Sequence, residues 1–331
     1  MRLLSKLLLL VLLGMLALAG WMYHYMQQPL DLPQSPQDLV LDYGTSLRGI
    51  AQQLVQEGVL DEPWSFILLV RAQGMAGEVK AGNYQLQQGM TAYDLFLMLT
   101  NGATSQSSIT FIEGWNFRQM REALNRHEDV RHLSIPLTDQ EILARIGADA
   151  SVAEGLFFPD SYYFSRGMSD LDILRRAYQT MQHKLAAAWA TRSAGLPYRT
   201  PYDALIMASI IEKETGRAGE RPMIARVFLN RLKFGMRLQT DPTVIYGLGE
   251  QFDGNLRRGD LQADTPYNTY TRSGLPPTPI AMPGLAAIEA ALHPASGRAL
   301  YFVGKGDGSH AFSSSLAEHN RAVARYQLRR N

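Results

Sequence analysis

Two glutamates close an apolar, helix-forming run near the middle of this 331-residue chain. The stretch Ala208–Thr215 reads ASIIEKET and carries Glu212 and Glu214. An acid at the end of a buried helix is costly unless it is paired or used, so the run marks a candidate acid/base site. Leu205, Ala208 and Ser209 precede Glu212 by seven, four and three residues and share its face; Met207, Ile210 and Ile211 share that of Glu214. Spacing therefore does not choose between the two acids. It does exclude a working pair, because residues two apart on a helix point about 200° apart. One acid faces inward or into a cleft. The other is solvated or ion-paired, with Lys213 and Arg217 as candidate partners.

The elements that must hold these acids are legible around them. Thr200 caps the helix, Pro201 takes its first position and Asp203 completes a capping pattern, with Gly216 available to end it. A second helix is expected from about Pro222 to Lys233, followed by the polar cluster Gln239-Thr240-Asp241. Upstream, Asp170–Ala190 reads as a long amphipathic helix. Downstream, Gly247–Gly284 is loop-rich, Ala286–Leu292 is helical, Ala299–Val303 and His310–Ser313 form a hairpin, and a last helix starts near Ser315. His310, Glu318 and His319 match no metal-ligand spacing, and no metal or cofactor is expected.

Composition narrows the function classes. A net charge of +1 gives no electrostatic footprint for nucleic acid. The absence of cysteine excludes thiol catalysis, cysteine-ligated zinc and disulfides. The N-terminus departs from an ordinary globular pattern. Arg2 and Lys6 precede an uncharged run, Leu7–Tyr23, that spans roughly 25 Å as a helix, close to the thickness of a bilayer core. Positive charge before the run favours a cytoplasmic N-terminus, with Trp21 and Tyr23 at the outer interface. The competing reading is a signal peptide cleaved after Ala17-Leu18-Ala19. Either way the remainder is exported. Residues 1–26 are read as cytoplasmic tip and anchor, and the proline-rich 27–38 as a linker.

A weak repeat follows. A β-prone segment, a glycine, a capping residue two positions on, and apolar residues four and eight after the cap occur three times. The copies centre on Gly44 with Ser46, Gly89 with Thr91, and Gly114 with Asn116. Strand–helix units of this kind resemble LysM-like carbohydrate-binding modules; the plainer reading is small α+β packing units. The module is placed at 39–105, with a hinge in Asn101–Ser105, and the second domain at 106–331. The expected fold class is α+β: an N-terminal transmembrane helix, a small LysM-like module, and a mixed α+β domain with the key glutamate on a buried helix.

Several further segments occur in order with the glutamate run: Glu154–Asp160 (EGLFFPD), Val227–Leu232 (VFLNRL), Met236–Gly247 (MRLQTDPTVIYG), Tyr267–Tyr270 (YNTY), Gly274–Pro277 (GLPP) and Ala291–Pro294 (ALHP). With Tyr301–Val303 and His310–Phe312, they closely resemble the endolytic murein transglycosylase family, also called YceG-like, over nearly the whole chain. The resemblance implies that Glu212, the first glutamate of EKET, is the catalytic acid. It implies cleavage within peptidoglycan glycan strands, where the sugar's own C6 hydroxyl attacks C1 and leaves a 1,6-anhydro-muramic end. A glutamate desolvated against apolar neighbours suits a general acid for such chemistry. Gln239, Thr240, Asp241, Asn268 and Tyr270 are candidate lining of a sugar cleft, and Arg231 a candidate partner of Glu214 or of peptide carboxylates. The implied setting is a bacterial inner membrane, bulk of the chain periplasmic, with glycan strands and peptidoglycan synthases as partners. Two other readings stay open: a hydrolytic muramidase using a second carboxylate such as Asp241, and a non-catalytic peptidoglycan-binding scaffold.

Overall fold

A computed structural model describes residues 2–42, 44–102, 107–164 and 166–328. Most of the expected hinge, residues 103–105, lies outside them. The chain is mixed α+β and divides into two compact units. The first comprises Met1–Ser108, Glu128–Arg131 and Tyr163–Met168; the second comprises Ile109–His127, His132–Tyr162 and Ser169–Asn331.

The first unit opens on helix α1 (Arg2–Gln27), whose segment Leu9–Gln27 is long and apolar enough to cross a membrane, with a mean hydropathy of 1.6. The last turns of α1 are not free: Met22, Tyr25 and Met26 pack against the core of the unit. That core lies between β1 (Gln37–Leu41) and helices α2 (Leu47–Gln56), α3 (Pro63–Ala72) and α4 (Ala92–Asn101), with β2 (Gly82–Leu86) antiparallel to β1 from Gln37↔Leu86 to Leu41↔Gly82. Leu39, Leu41, Leu54, Phe66, Tyr84, Leu86, Leu95 and Leu99 fill it. Two of the three repeat copies are therefore strand, turn and helix of this unit, and their strands pair.

The segment expected to be a linker is docked. Leu30 and Leu32 are buried, the Leu30 N–H donates to the Met90 carbonyl at 2.6 Å, and Pro29 bridges Thr91. Leucines inside a proline-rich stretch supply apolar surface that a solvated spacer would leave in water.

The third copy belongs to the second unit from Ile109 onward. Strand β3 (Ser107–Thr110) pairs with β4 (Ser161–Phe164), and helix α5 (Phe117–Arg126) follows. All three caps form: Ser46, Thr91 and Asn116 each accept from the backbone N–H three residues on. The glycine before each cap sits at positive φ, +85° at Gly44, +89° at Gly89 and +79° at Gly114. L side chains avoid that region, which explains the residue type at the shared position.

Helices α6 (Asp139–Ile146) and α7 (Asp170–Ala190) lead to α8 (Pro201–Glu214), the centre of the second unit. Ala204 through Ile211 are all buried, as an all-round apolar helix must be. Thr200 and Asp203 form the expected capping box, but the helix stops at Glu214 with Thr215 extended, one residue before Gly216 could end it. Helices α9 (Arg221–Lys233), α10 (Asp241–Leu248) and α12 (Leu285–Leu292) pack around α8, together with α7; the short α11 (Arg258–Gln262) lies in the long loop region. The hairpin β5 (Tyr301–Gly304) and β6 (His310–Ser313) pairs Tyr301 with Ser313 and Gly304 with His310, and α13 (Leu316–Tyr326) closes the chain.

Candidate functional site

Because α8 is buried, its C-terminal end delivers Glu212 and Glu214 to two different neighbourhoods. The Glu212 side chain is 6% exposed. Its Oε2 accepts from the backbone N–H of Gly284 at 2.9 Å, immediately before α12. Its Oε1 receives the Arg221 guanidinium of α9 at 3.3 Å. Neither partner was foreseen: ion pairing was expected at Glu214, through Arg217 or Arg231. Arg217 instead donates to the Asp307 carbonyl at 2.5 Å. Arg231 donates to the carbonyls of Leu300 and Leu238, both at 2.7 Å, and lies over the Tyr301 ring. Its work is to pin the start of the hairpin and the loop before α10.

A further acid stands beside Glu212. The turn Glu113-Gly114-Trp115 is bound to the segment at Met282 by Gly114 N–H to the Met282 carbonyl (2.8 Å) and Met282 N–H to the Trp115 carbonyl (2.7 Å). Lys213 Nζ donates to the Gly114 carbonyl at 3.2 Å. The Glu113 carboxyl consequently lies against the Cα of Gly284, in space a Cβ there would occupy. Burial first, then the charge of Glu212, raise the Glu113 carboxyl above its ordinary pKa, while Arg221 acts in the opposite direction. Sequence reasoning missed Glu113. The one signal for it is positional: it precedes the turn glycine of the third repeat, where the other copies carry Tyr43 and Gln88.

Glu214 gathers most of the other expected residues. The Thr240 hydroxyl donates to its Oε2 at 2.7 Å, and burial raises its pKa, with the nearby Asp241 charge acting the same way. Asp241 is exposed and accepts from the Tyr270 phenol at 2.6 Å; Gln239 is exposed and held at φ +51°. Two expected cleft residues are buried and engaged within the fold. Asn268 is fully buried and clips its own loop, donating to the carbonyls of Asp260 (3.0 Å) and Ala263 (2.7 Å) and accepting from the Tyr270 N–H. Thr240 is 2% exposed and stands just before α10 without a side-chain cap, its hydroxyl spent on Glu214. His310 pairs with Glu220 at 2.7 Å, and no cluster of three metal-ligating side chains occurs among the described residues.

Two cavities border the Glu212 neighbourhood. One of about 710 Å³ is lined by Arg221, Leu285, His183, Lys184, Glu289 and His293. The other, about 680 Å³, is lined by Gly114, Lys213, Asn116, Glu154, Tyr246 and Tyr267. Both fall in the size range of small-ligand sites. In the second, Glu154 is 6% exposed, accepts from the Phe117 N–H at 3.1 Å and the Tyr246 phenol at 3.1 Å, and is pushed up to about 7, chiefly by burial.

Comparison with known proteins agrees with the motif order. A family model described as the YceG-like family matches residues 39–325. The endolytic murein transglycosylase of Bacillus subtilis (strain 168) is 32% identical over 305 residues, covering 87% of this chain and 84% of that protein. The endolytic murein transglycosylase of Streptococcus pneumoniae serotype 2 is 25% identical over 358 residues, covering 96% of this chain and 64% of that protein. A crystal structure of a YceG-like protein from Listeria monocytogenes matches with a TM-score of 0.55 and 29% identity, covering 86% of this chain and 98% of the other.

Proposed function

This chain belongs to the YceG-like family, and we propose that it is an endolytic lytic transglycosylase of peptidoglycan with Glu212 as its general acid and base. The observation that carries the assignment of Glu212 is its setting: a nearly buried carboxylate held by the Gly284 N–H and Arg221, with one cavity lined by Arg221 and another lined by Lys213 and Gly114. An enzyme that cuts inside a polymer must bind strand on both sides of the scissile bond, and two flanking cavities suit that task.

The step closes without a co-reactant. Glu212 gives its proton to the leaving O4 as the C1–O4 bond of the muramic residue breaks through an oxocarbenium-like state. The C6 hydroxyl of the same sugar then attacks C1, and its proton returns to Glu212. Gln239, Asp241 and Tyr270, near the partly buried Glu214, are proposed to contact the glycan or its peptide. Helix α1 is proposed as an inner-membrane anchor with a cytoplasmic N-terminus, the first unit as a periplasmic LysM-like glycan-binding module, and the peptidoglycan synthases as neighbours that supply nascent strands.

Mass spectrometry of glycan digested by purified protein tests the assignment. Wild type is expected to release 1,6-anhydro-muramic ends; water-derived reducing ends would indicate a muramidase, and no fragments a scaffold. Glu212→Gln is expected to lose about 10²–10⁴ in rate, and Glu214→Gln much less. An active, folded Glu212→Gln, or an inactive Glu214→Gln beside it, overturns the assignment.

A further inference from the structure

The acid beside Glu212 has no place in the one-carboxylate mechanism just given. We propose that Glu113 is a second catalytic carboxylate, contacting the reacting sugar and carrying negative charge opposite the cation that develops at C1. The inference rests on the assignment of Glu212.

Three observations carry it. The first is placement. Gly284 lies between the two acids: its N–H binds the Glu212 carboxylate, and its Cα receives the Glu113 carboxyl where any other residue would put a side chain. The second is anchorage of the backbone. The Glu113 turn is fixed by the two backbone bonds to Met282 and by Lys213, the residue next to Glu212, so the side chain starts from a fixed point beside the end of α8. A Cβ at Gly114 would meet Lys213 and Glu212 at ordinary van der Waals distance, which puts the turn directly on the end of α8. The third is availability. Glu113 is exposed, whereas Glu212 is nearly buried and already engaged by two donors. Asp241, the second carboxylate expected for a hydrolytic reading, is instead coupled to Glu214 and held by Tyr270.

The groups facing Glu113 are Glu212 and Lys213 from α8 and Arg221 from α9; the Gly284 segment contributes backbone alone. Two neighbouring acids oppose simultaneous ionisation and tend to hold one proton between them. Such a pair keeps one proton at the site for the leaving O4, and once that proton has left, a negative charge beside the reacting sugar. Glu113 forms no covalent bond to the sugar. Charge held in advance where a cation develops stabilises the transition state more than the ground state, and removing one such group typically costs about 10²–10³ in rate.

The full-length protein in detergent, assayed on uncrosslinked glycan strands, tests this. Glu113→Gln preserves shape and removes charge. It is expected to lower kcat by about 10²-fold, with KM changed by less than about threefold and anhydro ends remaining the product. Glu113→Ala opens a site at the surface, and added formate is expected to restore its rate in proportion to formate concentration. A Glu113→Gln kcat within about threefold of wild type overturns the proposal. So does an inactive Glu113→Ala that formate does not revive, which assigns Glu113 a packing role; this arm decides the matter even if the glutamine variant fails to fold. Glu212→Gln is measured alongside: if it stays active the site assignment itself falls, and if it is inactive the Glu113 arms read out independently.

Discussion

Glu154 offers the sharpest physical test of the second unit. Its carboxyl is pushed from an ordinary 4.5 up to about 7, chiefly by burial, against the opposing pull of the Tyr246 phenol and the Phe117 N–H. The folded protein therefore holds a proton there that the unfolded chain has lost between pH 4.5 and about 7. In that window the folded state binds more protons than the unfolded state, so stability falls as pH rises and levels off above about 7. At 1.36 kcal/mol per pKa unit the full loss is about 3 kcal/mol. Glu154→Gln keeps the shape and carries no charge, and amide and phenol can still hydrogen-bond. It should leave stability nearly unchanged at pH 4.5 and raise it by up to about 3 kcal/mol at pH 8. For a unit of this size that is a gain of roughly 6–12 °C in melting midpoint. Differential scanning calorimetry of wild type and variant from pH 4.5 to 8.5 measures it. If the two melting curves run parallel across that range, Glu154 does not hold a proton in the fold and the burial argument is wrong.

Other outcomes follow from single contacts. Gly284→Ala puts a Cβ where the Glu113 carboxyl lies; the flexible side chain swings aside, so the melting midpoint should move by under about 3 °C while the cutting rate drops at least tenfold. Asn268→Ala removes two donors to buried loop carbonyls and one acceptor, and should cost about 2–3 kcal/mol by thermal melting, with activity per folded molecule retained. For the anchor, the protein extracted from membranes should keep the residues before Gly20; a mature N-terminus at Gly20 in the soluble fraction would show cleavage instead.

Local signals were legible where chemistry is local. The Thr200–Asp203 box, the caps Ser46, Thr91 and Asn116, the start of the last helix near Ser315, and the long amphipathic helix from Asp170 to Ala190 all stand where residue types put them. Helix α3 was not read, because its WSFILLV run is apolar without helical spacing and falls between repeat copies. The boundary placed before residue 106 already set copy three apart from the other two, and it lies in the second unit from Ile109 onward. The site was half legible. Periodicity placed both acids at a helix end but could not say which neighbours would meet them. Those neighbours come from far along the chain: Gly284 lies 72 residues beyond Glu212, and Gly114 lies 99 residues before Lys213. Two members of the expected cleft set are engaged within the fold for a related reason. Asn268 and Thr240 have the right atoms for sugar binding, but tertiary packing had already used them.

The docked segment after α1 changes the mechanics of the anchor proposed above. A free twelve-residue spacer would wander over roughly 20 Å, and whatever it carried would sweep a soft volume above the bilayer. Here Met22, Tyr25 and Met26 of the helix and Leu30 and Leu32 beyond it are clasped by the same core that holds β1 and β2. With α1 in the membrane, the first unit stands on its helix like a post set in a footing. Its height is then fixed by geometry instead of by thermal wandering, and it can meet only material that passes at that height.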